Sequence, residues 1–112
     1  MTTMQTRTVA VCELARLIPG RGVAALLPDG RQVAIFLTTG GDLYGLSNID
    51  PFSRAAVLSR GLVGDVDGAP FVASPLLKQR FDLRTGKCLD DESVVIRTYE
   101  VHVADGVVHV CP

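Results

Sequence analysis

Few residues in this chain combine the type and spacing that chemistry requires. Cys12, Cys88 and Cys111 lie far apart, and the chain has no Cys-x-x-Cys pair. This spacing indicates neither a disulfide framework nor a cysteine-rich zinc site, and it favours buried reduced thiols. Nothing close to Cys111 in sequence supplies a base or a positive charge, so we predict no catalytic cysteine.

The two histidines lie near the end of the chain, on either side of a favoured two-residue turn, Asp105-Gly106. Pairing Ala104 with Val107 across that turn places His102 opposite His109 on the outer face. Two imidazoles at that spacing are half of a zinc or copper site, with Glu100 on the same face. Exposed cross-strand histidines are more often free than liganded, so we predict no dedicated metal site here. The predicted core face of this hairpin comprises Tyr99, Val101, Val103, Val108 and Val110.

Two segments turn on a proline directly after a strand-like run: Asp50-Pro51-Phe52 and Ser74-Pro75-Leu76-Leu77. One interpretation is an ordinary turn, in which Asp50 bonds local backbone N–H groups and Phe52 packs inward. The other is a docking surface at the loop tips, with Phe52, Leu76 and Leu77 as apolar anchors. The candidate interface comprises Asp50, Pro51, Phe52, Ser74, Pro75, Leu76, Leu77 and Lys78, with a basic rim of Arg54, Lys78 and Arg80.

The elements that position these residues are short apolar runs separated by Gly, Pro and Asp, which predicts a mainly β fold. Hairpin turns are expected at Pro28-Asp29-Gly30, at 39–42 and at 84–87. Single helical turns are expected at 14–17 and 55–58, and a surface loop at 61–70. The predicted strands are Arg7–Val11, Val23–Leu27, Gln32–Leu37, Leu43–Leu46, Phe71–Ala73, Arg80–Asp82, Thr98–Val103 and Val107–Val110.

Length and charge restrict the classes of function. A chain of 112 residues fits one domain, 1–112, with a real core. Its 11 basic and 12 acidic residues create no field that would favour nucleic acid or an anionic membrane. Residues 1–11 lack the apolar stretch of about 7–15 residues that export requires, and no apolar run approaches the ~18 residues of a membrane helix. We therefore expect a cytoplasmic protein.

The two proline loops resemble those of Rieske proteins, which carry Cys-Pro-His in a first loop and Cys-Pro-x-His in a second. Asp50-Pro51-Phe52 follows the strand-like run 43–46 as the first motif does, and Ser74-Pro75-Leu76-Leu77 corresponds to the second. The segment 80–89 after it is similar to the strand that follows the cluster in those proteins. The resemblance implies a Rieske-like fold of small antiparallel sheets, a sandwich or partial barrel with both proline loops at one end.

The ligand positions of that family are all changed here. Asp50 and Ser74 stand where the thiolates would be, and Phe52 and Leu77 where the imidazoles would be. Phe and Leu offer no lone pair, a serine hydroxyl stays protonated near neutral pH, and one carboxylate cannot hold two irons. We therefore predict no [2Fe–2S] cluster, no other metal and no cofactor in this chain.

Within that superfamily, the chain resembles the small-subunit family of bacterial assimilatory NAD(P)H-dependent nitrite reductases, which lacks the cluster. The segments that carry this resemblance are 47–52, 56–61, 73–76, 78–83 and 85–86. It implies a partner, the large catalytic subunit, which would hold sirohaem, a [4Fe-4S] cluster, FAD and NAD(P)H and reduce nitrite to ammonia. This chain would have no catalytic residues of its own.

Two other classes of function stay open from the sequence. One is a Rieske-type ferredoxin that carries electrons to an oxygenase, which would require bound iron and visible absorbance. The other is a free-standing small β-barrel that binds a protein, which would be stable without a redox partner.

Overall fold

A computed structural model describes residues 8–112, and these form an almost entirely β fold. Two single 3₁₀ turns, Leu14–Arg16 and Leu58–Arg60, interrupt the strands. Within the described residues, no helix is long and apolar enough to cross a membrane. The strands are β1 (Val9–Glu13), β2 (Gly22–Leu26), β3 (Gln32–Leu37), β4 (Leu43–Ser47), β5 (Leu62–Val66), β6 (Ala69–Ala73), β7 (Arg80–Asp82), β8 (Thr98–Ala104) and β9 (Val107–Cys111).

The strands form two antiparallel sheets. The larger sheet has the order β1-β9-β8-β4-β3-β2, and the smaller one has the order β5-β6-β7. Strand β3, between β4 and β2, is buried on both faces, since all four residues from Val33 to Phe36 are buried. An apolar run without polar alternation suits a strand that is covered on both faces. Ala34 and Phe36 join the core between the sheets, whereas Val33 and Ile35 join a second core within the larger sheet.

The sequence predicted most of these elements. The turn at Asp105-Gly106 and the pairing of His102 with His109 are confirmed. The structure also confirms the hairpins at 28–30 and 39–42. The helical turn expected at 14–17 is observed as the 3₁₀ turn Leu14–Arg16. The predicted first strand begins at Arg7, which lies outside the described residues, and the strand is observed from Val9 to Glu13.

The predicted surface loop at 61–70 is wrong. This segment forms β5 and the start of β6, with Val66 paired to Ala69 across a turn at Asp67 and Gly68. Both turn residues have positive φ, 50° and 84°, so the polar residues of the segment mark one tight hairpin turn and not an open loop.

Two further predictions need correction. The helical turn expected at 55–58 lies instead at Leu58–Arg60, where Gly61 N–H bonds the Leu58 carbonyl. Val103 lies on the same face as its partner Val108, as predicted, but it is not part of the core, since 39% of it is exposed. Strand β8 pairs with β4 only at Thr98 and Tyr99, so the far end of the last hairpin extends beyond the core.

Candidate functional site

The two proline loops adopt the same turn. In the first, Asp50 N–H donates to the Ala55 carbonyl at 2.9 Å, and Arg54 N–H donates to the Asp50 carbonyl at 2.7 Å. In the second, Ser74 N–H donates to the Gln79 carbonyl at 2.9 Å, and Lys78 N–H donates to the Ser74 carbonyl at 3.0 Å. The fifth residue of each turn has positive φ, 64° at Arg54 and 65° at Lys78.

A third copy of this turn follows β7, where the sequence predicted a hairpin turn at 84–87, and the bridge between Phe81 and Cys88 confirms that turn. Asp82 N–H donates to the Lys87 carbonyl at 2.9 Å, and Gly86 N–H donates to the Asp82 carbonyl at 2.8 Å. Gly86 takes the position with positive φ, 78°. The signal in the sequence was available, because Asp82 and Asp50 both begin their turns with a carboxylate that accepts the N–H two residues on.

A side-chain hydrogen bond joins the first loop to the second. The Ser74 hydroxyl donates to Asp50 Oδ2 at 2.5 Å, and both residues are buried, with 1% and 0% exposure. The other carboxylate oxygen, Oδ1, accepts the backbone N–H of Phe52 at 2.8 Å. A hydrogen bond to a carboxylate belongs to the stronger class of hydrogen bonds. The two residues at the former thiolate positions therefore bond to each other directly.

Asn48, for which the sequence predicted no role, anchors the first loop to the larger sheet. Its Oδ1 accepts the Ser59 N–H at 2.7 Å, and its Nδ2 donates to Gln32 Oε1 at 3.0 Å. The Asn48 carbonyl accepts the Leu58 N–H at 3.1 Å. The buried amide thus ties the loop both to β3 and to the second 3₁₀ turn, so the loop is held rigidly on the sheet.

The candidate interface residues divide into buried supports and exposed tips. Asp50 and Ser74 are buried and cannot face a partner. Phe52 is half-buried and packs against Phe81, with ring centroids 6.2 Å apart, as the interpretation of an ordinary turn predicts, so its ring is not an exposed anchor. The reason is that the first loop directs the Phe52 ring inward onto the core. The exposed members are Pro51, Pro75, Leu76, Leu77 and Lys78, and Leu76 and Leu77 each expose 52% of their surface.

The predicted basic rim is smaller than expected. Arg80 pairs with Asp90, its Nη2 lying 2.9 Å from Oδ1, and its guanidinium lies over the ring of Phe71. The side-chain hydrogen bond from Arg80 holds the pKa of Asp90 below its ordinary value. Arg54 and Lys78 are both exposed, and neither forms an ion pair with another described residue.

The four former ligand positions do not fit a [2Fe–2S] cluster. Asp50 and Ser74 are already satisfied by their mutual bond, Phe52 is packed on the core, and Leu77 has no donor atom. Among residues 8–112, no group of three or more His, Cys, Asp or Glu side chains is arranged to hold a metal ion.

The remaining candidates lie elsewhere. The rings of His102 and His109 stack with centroids 5.3 Å apart, and the Thr8 hydroxyl lies 3.3 Å from Nδ1 of His109. The three cysteines are free thiols, with Cys88 buried. Burial raises the pKa of the Cys12 thiol in spite of the nearby Arg16. Less of this thiol is therefore in the reactive thiolate form than for a fully exposed cysteine.

Comparison with known proteins gives consistent matches over nearly the whole chain. Residues 7–111 match the family described as the Rieske-like [2Fe-2S] domain. The chain is 48% identical over 99 residues to the nitrite reductase (NADH) small subunit of Escherichia coli strain K12, covering 88% of this chain and 91% of that protein. A crystal structure from Mycobacterium tuberculosis, described as an NADH-dependent nitrite reductase small subunit, has a TM-score of 0.89 and 48% identity, and covers 93% of each chain.

A third match is of a different kind. The nitrite reductase [NAD(P)H] large subunit of Klebsiella oxytoca is 44% identical over 101 residues. These residues are 90% of this chain but only 10% of that protein. The sequence of this domain is therefore found both as a separate small chain and as one segment of a much longer polypeptide.

Proposed function

This chain belongs to the Rieske-like [2Fe-2S] domain family and, within it, to the nitrite reductase small subunits, and we propose that it acts as the non-catalytic small subunit of an NAD(P)H-dependent nitrite reductase. It would support the reduction of nitrite to ammonia by a large subunit. The observation that carries this proposal is the 48% identity to the Escherichia coli small subunit over 91% of that protein.

The nature of the partner is supported by the Klebsiella protein. A domain that lies within the large-subunit polypeptide is held close to the rest of that chain at a high effective concentration. A separate chain with the same sequence pattern can restore that arrangement only by binding non-covalently. The catalytic equipment, expected as sirohaem, a [4Fe-4S] cluster, FAD and NAD(P)H, then belongs to the large subunit, in the cytoplasm.

A role in holding or positioning the partner fits the chemistry of the two loops better than a role in electron transfer. The ferredoxin alternative needs four donors of sulfur or nitrogen, and the residues present are Asp50, Phe52, Ser74 and Leu77. The hydrogen bond between Asp50 and Ser74 keeps the loops together without a metal. The loop tips thus stay available as a rigid contact surface.

The test of the function is nitrite-dependent NAD(P)H oxidation by the purified large subunit, with and without this chain. We expect the chain to raise the rate or the stability of the activity, and no effect at any ratio of the two proteins would contradict the proposal. Bound iron and acid-labile sulfide in freshly purified chain would instead favour the ferredoxin alternative.

The test of the interface is the double variant L76D/L77D. Both leucines are half exposed, so Asp is tolerated by the fold but places two carboxylates in an apolar contact. We expect loss of copurification with the large subunit. The matched control is Val66→Asp, an apolar residue with 42% exposure at the turn end of β5, away from the Ala73 end that leads into the second loop. Unchanged assembly of L76D/L77D would remove this interface.

A further inference from the structure

The two proline loops carry basic residues at a backbone position where glycine would fold with less strain. Arg54 and Lys78 have φ of 64° and 65°, in the left-handed region that side chains with a Cβ rarely adopt. The third copy of the same turn has Gly86 at the corresponding position. The turn itself therefore accepts glycine at its fifth position. Both proline loops have a basic residue there instead.

The other non-glycine residues with positive φ in the described chain are of a different type. Asp67 and Asp105 occupy the hairpin turns before Gly68 and Gly106, and Asp is among the residues that tolerate this region. Arg and Lys gain no such local advantage from the backbone. What distinguishes them at the loop tips is the long, positively charged side chain.

The charge exposed by the two loops is of one sign. Within residues 50–55 and 74–79, the charged residues are Asp50, Arg54 and Lys78, and Asp50 is buried. The N–H groups of Arg54 and Lys78 bond the carbonyls of Asp50 and Ser74, and these two residues are themselves joined by the hydrogen bond between the loops. The two cations therefore flank one rigid joint, beside the exposed Leu76 and Leu77.

We propose that Arg54 and Lys78 bind carboxylates of an acidic patch on the nitrite reductase large subunit, with Leu76 and Leu77, which precede Lys78 in the chain, in an apolar contact. This proposal rests on the proposed function, because it names the chemistry of that partner's surface. Charge complementarity of this kind steers association and fixes orientation. It also explains why the loops retain strained basic residues, since strain of this type persists where function requires it.

The experiment compares R54G/K78G with the wild type in direct binding to the purified large subunit at 50 and 300 mM NaCl. The variant removes both charges and relieves the backbone strain, so its thermal unfolding midpoint should equal or exceed that of the wild type. We expect its affinity at 50 mM NaCl to fall by about tenfold or more, with a weaker dependence on salt than the wild type shows. Stability and binding then move in opposite directions, which misfolding cannot imitate.

The control is R16A/K87A, which removes two exposed basic residues outside the loops and should leave the affinity nearly unchanged. Equal affinity of R54G/K78G and wild type would overturn the proposal while leaving the function intact. If the wild type itself does not bind the large subunit, the proposed function fails and this inference falls with it. The proposal would also be overturned if R54G/K78G abolished self-association of this chain but left its binding to the large subunit unchanged. A second copy of the chain would then be the partner that the two basic residues bind.

Discussion

Replacing Ser74 by Ala tests whether a hydrogen bond between the loops replaces a metal cluster as their link. The substitution removes the hydroxyl that donates to Asp50 Oδ2 at 2.5 Å, inside a site where both residues are buried. A hydrogen bond to a charged group contributes about 1.5–3 kcal/mol, and a buried acceptor left without a donor costs its full desolvation. We therefore expect the free energy of unfolding to fall by about 2–3 kcal/mol.

The measurement is urea unfolding followed by far-UV circular dichroism, since the chain has no tryptophan. With a slope of about 1.5 kcal/mol/M, the midpoint should fall by roughly 1.5 M urea. In thermal unfolding the same change should lower the midpoint by roughly 8–12 °C, at about 4 °C for each kcal/mol. The matched control is Ser53→Ala, which removes a half-buried hydroxyl in the first loop that accepts the Ala55 N–H at 3.3 Å and should cost less than about 1 kcal/mol.

A double-mutant cycle with Asp50→Ala isolates the bond between the loops. Asp50→Ala also removes the acceptor for the Phe52 N–H, so its own cost should exceed that of Ser74→Ala. Because the two side chains act on each other, the coupling free energy should be about 1 kcal/mol or more. A Ser74→Ala protein that unfolds within about 0.5 kcal/mol of the wild type, or a coupling near zero, would refute the view that this bond links the loops.

Three further outcomes are expected. Gly86→Ala should destabilise the fold by roughly 3 kcal/mol or more, since its φ is positive and an added Cβ would clash with the Ile96 carbonyl oxygen; unfolding unchanged in urea would contradict this. Burial by itself would raise the pKa of Asp82, but the side-chain and backbone hydrogen bonds from Arg84 outweigh it and hold that pKa below the ordinary 3.8. Stability from Asp82 is therefore present above about pH 4 and lost as the pH falls through the folded-state pKa, so Asp82→Asn should be less stable than the wild type at pH 7 and the difference should shrink toward pH 2. Incubation of the reduced chain with iron and sulfide should give no stable visible chromophore after desalting, and retained iron in a stoichiometric ratio would show that the donor argument fails.

Local features of the sequence predicted much of the fold. Asp105-Gly106 specified its hairpin and the register of His102 against His109, because a two-residue turn leaves one pairing. The same rule fails at 61–70, where Asp and Gly residues are typical of an open loop but here mark the tight turn between β5 and β6. The same polar residues can form an open loop or a tight hairpin turn. Which of the two forms depends on whether the flanking segments pair as strands, and local composition does not reveal that pairing.

The sequence predicted those features of the site that depend on single side chains, but not those that depend on distant neighbours. Residue identity alone established that Asp50, Phe52, Ser74 and Leu77 lack the donors that a [2Fe–2S] cluster needs, since ligand chemistry is a property of each side chain. The resemblance of the loops to the family also followed from their order and spacing. The inward packing of Phe52 and the pairing of Arg80 with Asp90 did not, because both depend on neighbours brought in by other strands.

The sequence by itself determined which atoms are present in the two loops and that each loop turns at a proline. The tertiary structure alone decided that Asp50 and Ser74, 24 residues apart, bond to each other in the interior. The structure also shows that Arg54 and Lys78 adopt the left-handed backbone. The hydrogen bond between Asp50 and Ser74 forms only where the fold brings the two loops together. The positive φ follows from the local hydrogen bonds of each turn, and neither Arg54 nor Lys78 signals it in the sequence because such positions usually favour glycine.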